Sequence, residues 1–260
     1  MPLGVFDSGI GGLTVVQALR KAFPKRDILY VGDTARVPYG NKSAETVEAY
    51  SREIIRFLQS KGVDRIVAAC NTASALAVPK IGDTAGVPLH GMIESGVNAA
   101  LAVMGSGPVG VIGTSATISS GAYQAALRGE RPRLRVVACA TPLFVPLVEE
   151  GWLDHEVTEK VAREYLAPLI RERVEVCVLA CTHYPLLKKV LQRVLGSGVK
   201  LVDSSEACAE SLKGVESQIS EKGELRIFLT DEPGPFLDRV EGFLGKGAVG
   251  LIERIHLPHI

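Results

Sequence analysis

Short apolar runs alternate with longer amphipathic segments along most of the chain. In the first third, three apolar runs are predicted strands, and the segments that follow them are predicted helices. In chain order these elements cover residues 3–6, 13–23, 27–31, 44–59, 65–69 and 73–81. Strands that alternate with helices form mainly parallel sheets covered by helices, so the pattern predicts an α/β fold.

The second half of the chain repeats the pattern of the first. Residues 4–8 (GVFDS) align with 110–114 (GVIGT), and residues 63–70 (VDRIVAAC) align with 174–181 (VEVCVLAC). Both longer segments are apolar runs that end in cysteine, and a predicted helix follows each. Two matches in the same order and at nearly the same separation indicate an internal duplication. The duplication predicts two pseudo-symmetric α/β lobes.

The repeated units span about 3–93 and 109–205. Residues 106–108 (SGP) lie just before the second unit and are the predicted crossing point between the lobes. The repeat does not assign residues 206–260 to either lobe.

The charge balance argues against a protein that binds nucleic acid or an acidic membrane. Lysine and arginine number 29, aspartate and glutamate also number 29, and the formal net charge is zero. The N-terminus lacks the features of a signal peptide, and no apolar run has the length of a membrane span. We therefore expect a cytoplasmic protein whose five cysteines are free thiols.

Cys70 and Cys181 lie at equivalent places in the two units, each at the carboxyl end of a predicted strand. Ligands of open α/β sheets bind at these ends, so two facing lobes would put one thiol on each wall of a cleft. Inversion of a stereocentre needs a base on one face of the carbon atom and an acid on the other. A thiolate and a thiol meet this need and can exchange roles in the reverse direction. The pair therefore predicts proton transfer by two thiols.

Such chemistry needs a thiolate near neutral pH, whereas a free cysteine has a pKa of about 8.5. Each cysteine precedes a predicted helix start, where amides and the helix dipole favour negative charge. Pro185 fits the first turn of the second of these helices and Gly196 fits its end. The alternative is that both cysteines are small buried residues at strand ends, but their equivalent positions in the repeat argue against it.

The other three cysteines, Cys139, Cys177 and Cys208, lack this setting and are predicted to be structural. Cys177 and Cys181 share a strand without a second ligand pair, so no metal site is predicted.

Polar loops follow the first two strands. Residues 6–12 (FDSGIGG) lack the third glycine of a dinucleotide site and the lysine of a phosphate loop, so we expect a loop whose amides approach a small anion. Asp7 in this loop is predicted to assist proton transfer, with helix capping as the alternative. Asp33, Tyr39 and Gly40 follow the second strand at the same rim, although the composition of their loop is also that of an ordinary turn.

The second unit has matching candidates. Thr114 and Thr117 occupy the corresponding rim and can donate hydroxyl hydrogen bonds. His183 lies close to Cys181, and its ordinary pKa near 6.5 suits proton transfer. Glu149 can tune a neighbouring histidine, with an exposed glutamate at a helix end as the alternative.

At these residues the sequence closely resembles the glutamate racemase family of the aspartate/glutamate racemase superfamily. The segments that carry the resemblance are VFDSGIGGLTV (5–15), GDTARVPYGNKS (32–43), AACNTASALA (68–77), IGTSATISSGAY (112–123), PLFVPLVEEG (142–151), LACTHYPLL (179–187), VDSSEACA (202–209) and FLTDEPGPFLDRVEGFLG (228–245). They follow the family's order over nearly the whole chain.

The resemblance implies two domains with the active site between them, the first of residues 1–95 plus 206–260 and the second of residues 96–205. It implies reversible interconversion of L- and D-glutamate for peptidoglycan synthesis, without a metal, pyridoxal phosphate, nucleotide or other cofactor. Members of the family are usually homodimers.

By motif position, Cys70 and Cys181 would transfer the protons. Asp7, Glu149 and His183 would assist, and Asp33 is a further candidate. The residues that would contact the substrate are Asp7, Ser8, Asp33, Tyr39, Gly40, Asn71, Thr72, Thr114, Thr117, Thr182 and His183. The chain departs from the family pattern at Thr141, where members often have cysteine, outside this set.

Two other functions stay open. Another two-cysteine enzyme of the superfamily, such as an aspartate or hydantoin racemase, would share the thiol pair, although GDTARVPYG and CTHYPLL favour glutamate. The second of these functions is that of a non-catalytic two-lobed protein that binds small carboxylates. The paired thiols argue against it.

Overall fold

The chain forms two sheets flanked by helices in the computed structural model, which describes residues 1–214, 222–234, 240, 243–244 and 251–257. The strands are β1 (Leu3–Asp7), β2 (Ile28–Gly32), β3 (Arg65–Ala68), β4 (Leu89–His90), β5 (Val109–Gly113), β6 (Val136–Ala140), β7 (Val176–Ala180), β8 (Lys200–Asp203), β9 (Leu225–Leu229) and β10 (Leu251–Arg254). The helices are α1 (Leu13–Ala22), α2 (Ala44–Ser60), α3 (Asn71–Leu76), α4 (Val78–Ile81), α5 (Met92–Val103), α6 (Ser115–Ser119), α7 (Ala122–Glu130), α8 (Phe144–Glu149), α9 (Glu156–Arg171), α10 (Lys188–Leu195) and α11 (Ser204–Ser211).

Both sheets are parallel in all of their described pairings. Their orders are β10-β9-β2-β1-β3-β4 and β6-β5-β7-β8. The run β2-β1-β3-β4 of the first sheet therefore has the same order as the whole described second sheet. The predicted α/β fold with two mainly parallel sheets is confirmed, and the shared order agrees with the repeat in the sequence.

The central strands are apolar because helices cover both faces of each sheet. Every residue of β1, β2, β5 and β7 is buried, as expected for parallel strands of this kind. The helix α2 begins after Ser43, whose hydroxyl accepts a hydrogen bond from the Thr46 amide at 3.3 Å. Its buried face includes Leu58, and truncation of such a side chain to alanine typically costs about 2–5 kcal/mol.

The predicted element bounds hold to within a few residues, with two differences. The segment 73–81 forms two short helices, α3 and α4, because the chain leaves regular helical geometry at Ala77. After Cys181 a 3₁₀ turn (Tyr184–Leu187) precedes α10. Pro185 lies in the first turn and Gly196 ends α10 with a φ of 87°, as predicted.

The described C-terminal strands extend the first sheet. β9 pairs with β2, and β10 pairs with β9. The boundaries of the two domains, residues 1–95 plus 206–260 and residues 96–205, stay a prediction. Part of the resemblance segment 228–245, namely 235–239, 241–242 and 245, lies outside the described residues. No helix in the described part of the chain is both long and apolar enough to cross a membrane.

Candidate active site

A small cavity of about 30 Å³, enough for only a few water molecules, lies where the carboxyl ends of the two sheets meet. The predicted site residues that border it are Ser8, Tyr39, Gly40, Cys70, Asn71, Thr72, Thr114, Glu149, Cys181, Thr182 and His183. Both cysteines therefore border one cavity, and they come from different sheets. Asp7, Asp33 and Thr117 are buried but are not among the described residues that line it.

The repeat explains how the two thiols reach the same cavity. β3 lies beside β1 and β7 lies beside β5, at the same position of the common strand order. Cys70 and Cys181 follow the carboxyl ends of β3 and β7 within two residues. All five cysteines are free, as predicted.

Cys70 lies in an apolar and electronegative setting. Its side chain is buried, and its thiol donates a hydrogen bond to the Ser8 hydroxyl at 3.7 Å. Burial, together with the negative charge of Asp7, raises the pKa of Cys70 to about 12. The sequence-based expectation of a lowered pKa is wrong for this thiol, because α3 is only six residues long and its N-terminus does not offset the loss of water.

Cys181 has a different neighbourhood. Its sulfur lies 3.9 Å from Nδ1 of His183, and Nε2 of the same ring lies 3.1 Å from Glu149 Oε1. Burial alone would lower the pKa of His183, but the interactions with Cys181 and Glu149 outweigh it and raise the pKa to about 10. His183 is therefore a cation near neutral pH, and its ring lies next to the Cys181 sulfur.

Asp7 lies behind the cavity and connects its two sides. Its carboxylate accepts hydrogen bonds from the Gly9 amide at 3.1 Å and from the Thr182 hydroxyl at 3.4 Å. Burial raises the pKa of Asp7, while the His183 charge and three backbone amides partly offset this effect. The carboxyl group can therefore take up or release a proton closer to neutral pH than an exposed aspartate.

The glycines of the loop 8–12 make room for these side chains. A Cβ on Gly11 would lie 2.5 Å from the imidazole of His183, and a Cβ on Gly12 would lie 2.5 Å from Cβ of Asp7. The loop was expected to bring amides to an anion. That expectation stays a prediction for a substrate, while the described contacts show close packing of Gly11 on His183 and of Gly12 on Asp7.

Three threonine hydroxyls join the two sheets at the cavity. Thr72 lies 2.9 Å from Thr114 and 3.1 Å from Thr117, and Thr114 lies 2.9 Å from Thr117. We call these residues the threonine cluster. Thr72 follows β3 and the other two follow β5, so the cluster spans the sheets. Its neutral donors and acceptors suit a carboxylate or ammonium group.

Several residues that support the site were missed by the sequence interpretation. Tyr123 donates a hydrogen bond to Asn71 Oδ1 at 2.7 Å, and the Asn71 amide donates to the Ser204 hydroxyl at 3.4 Å. The Thr14 hydroxyl lies 3.0 Å from the Thr182 carbonyl. These side chains lie inside the segments that carry the resemblance, but their residue types are also ordinary in helices and strands.

The described cavity residues do not form a metal centre. No group of three or more histidine, cysteine, aspartate or glutamate side chains in the described part of the chain could hold a metal ion. The chemistry available from these side chains is proton transfer by thiols, an imidazole and carboxyl groups.

Comparison with known proteins identifies the family. The model of the Asp/Glu/Hydantoin racemase family matches residues 12–212. A glutamate racemase from Geobacter metallireducens is 49% identical over 261 residues, which cover 98% of this chain and 96% of the relative.

Solved structures agree with this result. A glutamate racemase isoform from Bacillus anthracis superimposes with a TM-score of 0.94 at 33% identity, over 99% of this chain and 98% of its own. A glutamate racemase from Francisella tularensis, solved in complex with D-glutamate, gives a TM-score of 0.92 at 36% identity, over 98% and 97% of the two chains. The chain is therefore an isomerase of the Asp/Glu/Hydantoin racemase family.

Proposed function

We propose that this protein is a glutamate racemase that moves the α-proton of glutamate between Cys70 and Cys181. The observation that carries the proposal is that two thiols from different sheets border one cavity. The names of the similar proteins support glutamate as the substrate.

In one direction Cys181 is the base and Cys70 is the acid. The Cys181 thiolate, beside the protonated His183, takes the α-proton, and the electron pair of the C–H bond spreads from the α-carbon into the substrate carboxylate. Cys70, whose raised pKa keeps it a thiol, donates its proton to the opposite face. The product leaves Cys181 as a thiol and Cys70 as a thiolate, which is the starting state for the reverse reaction.

The assisting residues act on the charge of each sulfur. Glu149 holds the imidazole of His183 in its charged form, and His183 stabilises the Cys181 thiolate. Asp7 acts on the other side, because its negative charge raises the pKa of Cys70. Uptake of a proton by Asp7 removes that charge and favours the Cys70 thiolate that the reverse direction needs.

Substrate carboxylates are bound by neutral donors in this proposal. Ser8, Asn71 and Thr182 border the cavity beside the thiols, and the threonine cluster supplies further hydroxyls. Tyr39 and Gly40 border the same cavity. No cofactor enters any step, and the D-glutamate formed would serve peptidoglycan synthesis. The homodimer implied by the resemblance stays a prediction.

The deciding experiment is solvent deuterium incorporation into each glutamate enantiomer, without added cofactor, followed together with optical rotation. We expect the α-hydrogen of both enantiomers to exchange and the rotation to decay to zero. L-aspartate and other L-amino acids tested in parallel identify an aspartate or hydantoin racemase. Binding of glutamate without exchange would instead indicate the non-catalytic carboxylate-binding protein.

A further inference from the structure

Asp33 does not border the cavity, although its motif groups it with the substrate-binding residues. Its side chain is fully buried. Its two carboxylate oxygens accept hydrogen bonds from Arg36 Nε at 3.0 and 2.8 Å, from the Tyr39 hydroxyl, and from the Thr230 hydroxyl at 2.9 Å. Both carboxylate oxygens are thus occupied by donors from the protein, so neither is free to contact a substrate in the cavity.

Thr230 brings the C-terminal part of the chain to this loop. It directly follows β9, and its hydroxyl accepts a hydrogen bond from the Ala35 amide at 3.0 Å while it donates to Asp33. The next residue, Asp231, donates from its amide to the Thr34 hydroxyl at 3.0 Å. The chain after β9 is therefore bonded to the 3₁₀ turn Thr34–Arg36 at two points.

The contacts continue from this turn into the cavity. Tyr39, which bonds to Asp33, borders the cavity together with Gly40. Gly40 packs so closely on the second sheet that a Cβ there would lie 2.7 Å from Cβ of Thr114. On its outer side Arg36 pairs with Glu53 and lies 3.9 Å from the centre of the Tyr50 ring. The turn Tyr39–Asn41 is thus held between Asp33 and the threonine cluster.

We propose that Asp33 and Thr230 are positioning residues that fix the Tyr39-Gly40 backbone at the cavity, and that Asp33 transfers no proton. The inference rests on the proposed function for its kinetic test, since the substrate is taken to be glutamate. It assigns the C-terminal segment an indirect role in substrate binding. The segment forms hydrogen bonds to the loop and does not contact the substrate.

The test replaces Thr230 by valine, which keeps the shape but removes the hydroxyl, and by serine, which retains the hydroxyl. Loss of hydrogen bonds to the loop should raise KM for both glutamate enantiomers by about 3- to 10-fold with a smaller change in kcat. Thr230→Ser should stay close to wild type. The matched control is Arg226→Met, which removes the ion pair between Arg226 and Glu253 on the same C-terminal strands, away from the loop.

Asp33→Asn tests the second half of the proposal. A positioning role predicts a higher KM with both limbs of the pH profile of kcat/KM unchanged, whereas a proton-transfer role predicts the loss of one limb. Thermal denaturation establishes whether this variant is folded, and the Thr230 variants test the proposal independently if it is not. An unchanged KM in Thr230→Val, no rescue by serine, or a lost pH limb in folded Asp33→Asn would overturn the proposal.

A readout without substrate separates this inference from the proposed function. Amide hydrogen exchange of residues 33–41 should be faster in Thr230→Val than in wild type or Arg226→Met. Faster exchange in a protein that does not racemise glutamate would overturn the function and support the loop assignment. If amide exchange is unchanged in Thr230→Val and the protein racemises glutamate, the loop assignment is overturned and the proposed function is supported.

Discussion

Cys70 and Cys181 have equivalent positions in the backbone and different chemical surroundings. Each follows the corresponding strand of its sheet. The Cys181 sulfur lies beside His183, which in turn pairs with Glu149. Cys70 donates to a serine hydroxyl, and burial together with the charge of Asp7 raises its pKa to about 12. The shared strand order thus explains where the two thiols lie, while residues that differ between the two sheets give each thiol different neighbours.

The largest effect is expected when one thiol is removed at a time. Cys70→Ser and Cys181→Ser should each reduce racemisation of glutamate by about a thousandfold or more, because each thiol serves one face of the substrate. Optical rotation measures the loss, and circular dichroism should show an intact fold. Cys139→Ser, which changes a half-buried cysteine outside the cavity, is the control. Near-normal turnover in either cavity variant would contradict the assignment.

The same two variants can reveal which thiol serves which face. Two enantiomers have equal free energies in water, so kcat/KM must remain equal in both directions of racemisation in every variant. This equality does not apply to elimination from a glutamate that carries a leaving group on its β-carbon, because elimination needs proton removal from one face only. We expect Cys70→Ser and Cys181→Ser to retain elimination from opposite enantiomers. Loss of elimination from both enantiomers in both variants would indicate that the cysteines are structural.

An effect of intermediate size, a loss of folding stability, is expected from His183→Asn. The pKa of His183 in the folded protein, about 10, lies above its ordinary value of 6.5, so its protonation stabilises the fold. This contribution is present in full below about pH 6.5 and is lost as the pH rises through about 10. The destabilisation measured by urea unfolding should therefore be largest near pH 6 and shrink towards pH 10.

The control for this measurement is His256→Asn, at an exposed histidine outside the cavity. A destabilisation by His183→Asn that stayed constant, or grew, with rising pH would show that His183 is not held as a cation. The positive charge beside Cys181, which is the main difference between the two cysteine environments, would then be absent.

The smallest effect is expected for the pKa of Cys70 when Asp7 is replaced. Asp7→Asn removes the charge that, after burial, contributes most to the raised pKa of Cys70. The pKa of Cys70 should therefore fall, but it should stay above the ordinary value because burial persists. The pH dependence of alkylation, followed at the Cys70 peptide by mass spectrometry, measures this shift. An unchanged or higher pKa would mean that Asp7 does not control this thiol.

Most of the fold was predictable because it depends on local periodicity. The apolar runs at β1, β3, β5 and β7 carry the strand pattern, and the cysteine at the end of two of them identified the repeat. The pairing of Glu149 with His183 was foreseen only as a possibility, since 34 residues separate them along the chain.

Contacts made across the fold were not predictable. The raised pKa of Cys70 depends on burial and on a charge that arrives from β1, which no motif reports. Asp33 accepts a hydrogen bond from Thr230, which is nearly 200 residues away in sequence. The close packing of Gly11 on the imidazole of His183 was not foreseen, because that ring comes from the other sheet.

The threonine cluster has a consequence for the timing of catalysis. Glutamate is larger than a space that holds only a few water molecules, so the proposed reaction requires this cavity to widen before the substrate enters. A movement of one sheet away from the other would separate Thr72 from Thr114 and Thr117, and each of these hydroxyl contacts contributes only about 0.5–1.5 kcal/mol. In the proposed reaction each cycle would then include one opening to admit the substrate and one to release the product, and the rate of these movements would set an upper bound on kcat.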